Sequence, residues 1–414
     1  MSVDQKLSDQ LLPHEGASAV PVERAPAAAP VPRRLRKILS LEDLEVAGRR
    51  HLPRPVFGFI SGGVESNASV RANRAAFQDY AFVPRVLVNT AARTQTTTLL
   101  GRRYAHPFGI PPMGISGLAA YRADLVLSRT AMEAGLPMIL SGSSLIKLED
   151  VVREAPTTWF QAYLPGDPAR ITGLVERAAR AGFETLVVTV DVPVSANREN
   201  NVRNGFSIPL RPNLRLAWDG LVRPRWLIGT AGRTLLRHGM PHFENMSATR
   251  GAPVLSRHVE RDFGPRYTLA WEHIALMRRL WKGHLVVKGI LSKEDARIAR
   301  EHGVDGIMVS NHGGRQLDGA VAPLRVLPEI AAVAGGMAVM LDSGVRRGTD
   351  VLKALALGAQ FVFVGRPFLY AAAIAGAAGV GHAIDLLSRE IDRDMVMLGI
   401  TELAQMRREL LVAA

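Results

Sequence analysis

The sequence predicts an α/β fold, a (β/α)8 TIM barrel, on three observations. From residue 107 onward, short apolar runs of strand length alternate with stretches of helical period. Eight such runs fall within about 260 residues, the spacing of a closed parallel barrel. No G-x-G-x-x-G follows any of them, which removes the main support for an open doubly wound sheet.

Taken in order, residues 1–40 read as a disordered tail. The stretch Ala25–Pro32 is rich in proline and alanine, and no basic start with an apolar core marks a secretory signal. Order is expected from Ser40, which with Asp43 caps a helix Leu41–His51. Strands are expected at Phe108–Pro112, Pro137–Leu140, Trp159–Tyr163, Thr185–Val190, Leu285–Val287, Gly306–Val309, Ala338–Leu341 and Phe361–Val364. Helices between them are expected at Asp124–Ala134, Leu148–Glu154, Pro168–Ala181, Trp271–Trp281, Lys293–His302, Pro323–Val333 and Thr349–Leu357. One barrel therefore fills 41–414, interrupted between strands four and five by an insertion at about 204–264.

Composition narrows the class. Of 414 residues, 47% are hydrophobic and 21% charged, as in an ordinary globular protein, and no apolar run approaches the roughly 18 residues of a membrane span. The absence of cysteine excludes disulfides, thiolate metal ligands and a cysteine nucleophile, and no metal site is expected. The net charge is +13, and residues 203–261 hold ten arginines against Asp219, Glu244 and Glu260, a balance of +7. That segment carries no nucleic-acid motif, so no nucleic-acid partner is expected. Its Trp218, Trp226, Leu227, Ile228, Leu235 and Leu236 among arginines instead suit an anionic membrane surface; a lid over the site or a subunit contact is the plainer reading.

Candidate site residues, most of them polar, collect just after the strands, where a barrel builds its site. They are Pro112, Met113 and Gly114 after the first strand, Ser141 after the second, Gln161 and Tyr163 on the third, and Thr189, Asp191 and Arg198 at the fourth. Lys288 ends the fifth, Ser310, His312 and Arg315 follow the sixth, Asp342, Gly344 and Arg346 the seventh, and Gly365 and Arg366 the eighth. The last two loops suit a phosphate, with glycine amides and two guanidinium groups pointing at the anion. Amide, hydroxyl and lysine groups on the other loops suit a flat heterocycle that gains negative charge. A phosphorylated, planar electron acceptor such as FMN meets these demands.

Ser310-Asn311-His312-Gly313-Gly314-Arg315-Gln316-Leu317-Asp318, Lys288-Gly289, Asp342–Gly348 and Gly365-Arg366-Pro367 resemble the FMN-dependent L-2-hydroxy acid oxidase and dehydrogenase family. Glycolate oxidase, mandelate dehydrogenase and the respiratory L-lactate dehydrogenases belong to it. The likeness covers about 41–400 and is strongest to membrane-associated dehydrogenases, through Met113–Leu118, Pro224–Leu227 and the basic insertion. It implies oxidation of an L-2-hydroxy acid, lactate or a larger aromatic analogue, to the 2-oxo acid, with electrons passed to quinone or another acceptor. An oxygen-using oxidase and a non-catalytic flavin-binding barrel are the alternatives.

The resemblance makes His312 the base, paired with Asp191, and places Arg198 and Arg315 on the substrate carboxylate and Tyr163 on its hydroxyl. Lys288 would sit by the flavin ring, and Pro112, Met113, Gly114, Ser141, Gln161, Thr189, Ser310 and Asp342 around it. Gly344, Arg346, Gly365 and Arg366 would take the phosphate. Family oxidases commonly carry alanine at the place of Gly114. Phe59, in Val56-Phe57-Gly58-Phe59-Ile60-Ser61-Gly62-Gly63, stands where the family has a tyrosine on the carboxylate. The resemblance further implies a homotetramer in the cytoplasm, peripheral on the inner face of the cell membrane.

Overall fold

A computed structural model describes residues 32–207, 214–256 and 266–414; the Ala25–Val31 part of the expected tail and the rest of the insertion lie outside them. Eight parallel strands form one sheet: β1 (Phe108–Gly109), β2 (Ile139–Ser141), β3 (Trp159–Ala162), β4 (Thr185–Thr189), β5 (His284–Ile290), β6 (Gly306–Val309), β7 (Ala338–Leu341) and β8 (Phe361–Phe363). From β2 to β8 each strand pairs with the next in sequence, and β8 pairs with β1 through Val362–Phe108. A parallel bridge between Ile110 and Met138 joins β1 to β2 and closes the barrel. The helices that follow in turn are α1 (Ala123–Glu133), α2 (Leu148–Glu154), α3 (Pro168–Ala181), α4 (Trp271–Leu280), α5 (Lys293–Glu301), α6 (Pro323–Val333), α7 (Gly348–Ala356) and α8 (Arg366–Leu398).

The strands read as apolar runs because both their faces are buried. Ile139, Trp159, Val187, Val286, Met308, Met340 and Phe361 form one cluster inside the barrel. Their alternates, among them Leu140, Phe160, Val188, Val287, Ile307 and Val362, pack outward against the helices. A hairpin, Thr97–Leu99 with Arg102–Tyr104, adds Leu99 and Tyr104 to the inner cluster. The opposite, carboxyl end of the strands is left for the site.

Three features depart from the sequence expectation. Order starts before Ser40: Leu35 and Ile38 are buried ahead of the helix Leu41–His51, whose Ser40–Asp43 capping box forms as expected. β5 runs past Lys288 to Ile290 with a register shift at Gly289. Within the described part of the insertion, helical turns run at Leu214–Leu221, Pro224–Trp226, Leu227–Gly232 and Arg233–His238, and residues 239–256 follow without a helix. Of its two tryptophans only Trp218 is exposed, at 66%; Trp226 is 9% exposed and its indole N–H donates to the Leu118 carbonyl at 2.8 Å. Trp226 is therefore part of the core.

α8 is, among the described residues, the one helix long and apolar enough to cross a membrane. Its apolar stretch is 67% buried, it packs on Leu41–His51 and α1, and the backbone breaks from helical geometry at Gly376. It serves as a core helix of the barrel.

Candidate active site

At the carboxyl ends of the strands lies a cavity of about 740 Å³. His312 stands on its wall. The loop after β6 turns sharply, with φ of 57° at His312, 67° at Gly313 and 72° at Gly314. A histidine in the left-handed region is held there against its preference, a cost met mostly at functional positions. Gly314 is required for closeness too, because a Cβ would come within 2.6 Å of the Val70 backbone nitrogen. The His312 amide also donates to Ser310 Oγ at 3.0 Å.

His312 Nδ1 lies 2.8 Å from Asp191 Oδ1. A carboxylate only accepts, so Nδ1 carries the proton and Nε2 keeps its lone pair. That Nε2 faces the Tyr163 hydroxyl at 3.4 Å. Burial holds the imidazole below its ordinary pKa, and Asp191 opposes this without cancelling it. Burial alone would raise the Asp191 pKa, but His312 and Lys288 bring it below the usual value. Asp191 can stand this close to β5 because position 289 is glycine; a Cβ there would lie 2.6 Å from the Asp191 Cβ.

Lys288 is buried and remains cationic, because Asp342 at 3.3 Å and Asp191 at 3.9 Å outweigh the effect of burial. It donates to Ser310 Oγ at 2.8 Å. Arg198 reaches the Arg315 carbonyl and the Gln316 side chain. Arg315 donates to the carbonyls of Ile60 at 3.2 Å and Gly62 at 2.7 Å, and its guanidinium lies 5.0 Å above the Phe59 ring. Arg366 grips Ile60 and Gly62 as well, and the Gly313 carbonyl. Burial and the Arg366 and Arg74 charges bring Arg346 down to about 10. Cations crowded at this depth call for an anion.

Phe59, Pro112, Met113, Gly114, Tyr163, Arg198, Lys288, His312, Arg315, Asp342, Gly344, Arg346, Gly365 and Arg366 share the cavity wall. Ser141, Gln161, Thr189 and Ser310 do not line it; they are buried at the strand ends. Gln161 Nε2 and Thr189 Oγ1 have no hydrogen-bond partner among the described residues. Unused donors at that depth, together with Lys288 and the Arg346–Arg366 pair, fit the ring and phosphate of FMN.

Among the residues of the wall that sequence reasoning missed are Phe206 and Arg266. Phe206, from the insertion, stacks on Phe59 with ring centres 4.5 Å apart. It belongs to an apolar cluster of Ile115, Phe243, Met246 and Val254 beside the cavity. Arg266 lies over the Tyr163 ring at 4.7 Å. Neither follows a strand, so the rule that barrel sites sit at strand ends could not find them. Asp318, the end of the His312 motif, plays another part: it accepts from the Ser66 and Ser69 amides at 3.0 and 2.9 Å and tethers the loop.

Residues 48–413 match the family model of FMN-dependent dehydrogenases. The chain is 36% identical to (S)-mandelate dehydrogenase of Pseudomonas putida, over 90% of this chain and 93% of that one. It is 38% identical to L-lactate dehydrogenase of Ectopseudomonas mendocina (strain ymp), over 89% and 97%. A solved structure of (S)-mandelate dehydrogenase, described as a monotopic membrane protein, superposes with a TM-score of 0.86 at 36% identity, over 92% of this chain and all of that one.

Proposed function

Since the chain belongs to the FMN-dependent dehydrogenase family and is a 2-hydroxy acid dehydrogenase with FMN as its cofactor, we propose that its substrate is an L-2-hydroxy acid with a bulky, aromatic side chain. The Phe59–Phe206 stack in the cavity wall carries this reading. Where a tyrosine hydroxyl would serve the carboxylate, this chain offers a second aromatic face. One hydrogen bond to a charged group, about 1.5–3 kcal/mol, is exchanged for apolar contact that a small acid cannot make.

FMN, when bound, accepts two electrons from the substrate. Arg198 and Arg315 hold the carboxylate, as fork-shaped donors do. Tyr163 donates to the substrate oxygen. His312 Nε2 removes the hydroxyl proton or the α-proton, and Asp191 stabilises the imidazolium that results. Lys288 would place positive charge beside the ring, and Arg346, Arg366, Gly344 and Gly365 would hold the phosphate. Pro112, Met113, Gly114, Ser141, Gln161, Thr189, Ser310 and Asp342 frame the ring.

We further propose that the electrons pass to quinone and that residues 204–264 hold the barrel on the inner face of the cell membrane. Leu214, Trp218, Leu221, Ile228 and Leu236 are exposed on the described part of that insertion. The similarity to a monotopic relative supports this reading. Assembly is proposed to be a homotetramer, as in the family it resembles.

The test is bleaching of the purified holoenzyme by a panel of L-2-hydroxy acids under anaerobic conditions. Mandelate-like acids should reduce the flavin with a lower KM than lactate or glycolate. Phe59→Tyr should narrow the gap by improving small acids about tenfold, the value of one such hydrogen bond. A wild-type preference for lactate would refute the aromatic reading.

A further inference from the structure

Away from the reaction site, the turn Arg233–His238 of the insertion meets the loop before α1 in a group of cations. The Tyr121 hydroxyl and His238 Nε2 are 2.8 Å apart, and Arg122 Nη1 lies 3.3 Å from the same nitrogen. The Arg233 guanidinium lies over the Tyr121 ring at 4.0 Å. Arg237 belongs to the same turn and is exposed. None of Arg122, Arg233 and Arg237 forms a salt bridge among the described residues. Arg122 sits there in a left-handed backbone conformation, φ 50°.

Other arginines of this protein have acidic partners, as Arg347 has Glu42 and Arg93 has Asp392, whereas these three gather with none among the described residues. Like charges gathered without one repel, and burial and these arginines lower the His238 pKa. An anion with several acceptor oxygens relieves the repulsion, and guanidinium groups match phosphate geometry. The cluster also has an apolar skirt: Leu235 and Leu236 on the same turn are 50% and 89% exposed, and Ile228 is 72% exposed. A free phosphate in water gains nothing from that skirt. A phosphate carried on acyl chains does.

We propose that Arg122, Arg233, Arg237 and His238, grouped around Tyr121, bind the headgroup phosphate of an anionic lipid and pin the insertion to the bilayer. This rests on the membrane reading above but names a discrete site, which diffuse attraction to a basic segment does not require.

The experiment measures co-sedimentation of the full-length holoenzyme with phosphatidylglycerol-containing vesicles. Arg122→Gln/Arg233→Gln is compared with a charge-matched control on the same insertion, Arg223→Gln/Arg225→Gln. Both lose two charges, so non-specific attraction falls equally. The site pair should lose at least tenfold more affinity than the control, with the flavin spectrum, melting temperature and turnover with a soluble acceptor unchanged. Inorganic phosphate should release wild-type protein no better than chloride at equal ionic strength. Wild-type binding with equal losses in the two pairs overturns the site and leaves membrane association standing. Selective release by inorganic phosphate reassigns the cluster to a soluble phosphate and overturns the lipid. Failure of the wild type to bind any vesicle overturns the site and the membrane reading together.

Discussion

His312 is the proposed base, and its surroundings dictate how it should respond to change. His312→Ala leaves the donors to ring and phosphate in place, so FMN should stay bound while kcat falls by about 10²–10⁴, the range of a positioned acid–base group. Retained turnover in that variant would move the base elsewhere. The working form is the neutral imidazole, and burial lowers its pKa below the ordinary 6.5. Thus kcat/KM should climb with pH through a value under 6.5 and then level off. Asp191→Asn removes the charge that raises this pKa, so the acid limb should move to still lower pH while kcat drops. A limb moving upward in the pH profile would contradict the pairing. Most of these residues were legible in the sequence because strand ends advertise themselves by position. Arg266 and Phe206 were not, since their place beside Tyr163 and Phe59 comes from long-range packing of the insertion.

At the scale of elements, the loop after β6 is stitched to the segment after the helix Arg54–Ser61. Asp318 accepts from the Ser66 hydroxyl and from the Ser66 and Ser69 amides, the Arg315 guanidinium caps the Ile60 and Gly62 carbonyls, and Asn73 and Asn311 exchange side-chain hydrogen bonds at 2.7 and 2.8 Å. Hydrogen bonds, that from the Ser66 hydroxyl first, lower the Asp318 pKa from 3.8 to about 2. A depressed carboxyl contributes stability above its unfolded pKa and loses it as pH falls through the folded one. Between about pH 4 and pH 2, Asp318→Asn should therefore erase part of the acid sensitivity of unfolding, measured as the melting temperature of variant against wild type. Equal acid sensitivity would mean the tether titrates through another group. Barrel strands and their helices were legible from period and length; β5 ran on because its bulge at Gly289 keeps pairing after Lys288. The helical turns of the insertion were not legible because a basic run masks helical period. Removing residues 206–250 would strip Phe206 from the cavity wall, Phe243 and Met246 from the apolar cluster beside it, and the Asn245 side chain from Ile146 and Leu148, so point substitutions are the sound probe of its surface.

For the molecule as a whole, the open question of electron delivery has a direct readout. Gly114 lies on the cavity wall, and a Cβ there would meet the Ser143 Cβ at 3.0 Å, so the wall is tight where family oxidases carry alanine. On the membrane reading proposed above, the reduced holoenzyme should be reoxidised quickly by a quinone analogue and slowly by air, followed by stopped-flow absorbance. Rapid stoichiometric peroxide formation would make the chain an oxidase with a helical lid. The seam of the barrel carries a different consequence, one for biosynthesis. Phe108 pairs with Val362, so the first strand waits for the last, and Ile110–Met138 alone cannot complete the ring. During translation the helix after each strand can cover the outer face as it emerges, but the inward face, with Ile139, Trp159, Val187, Val286, Met308 and Met340, has no closed ring around it until β8 arrives. The time between emergence of β1 and of β8 is therefore a window for misassociation.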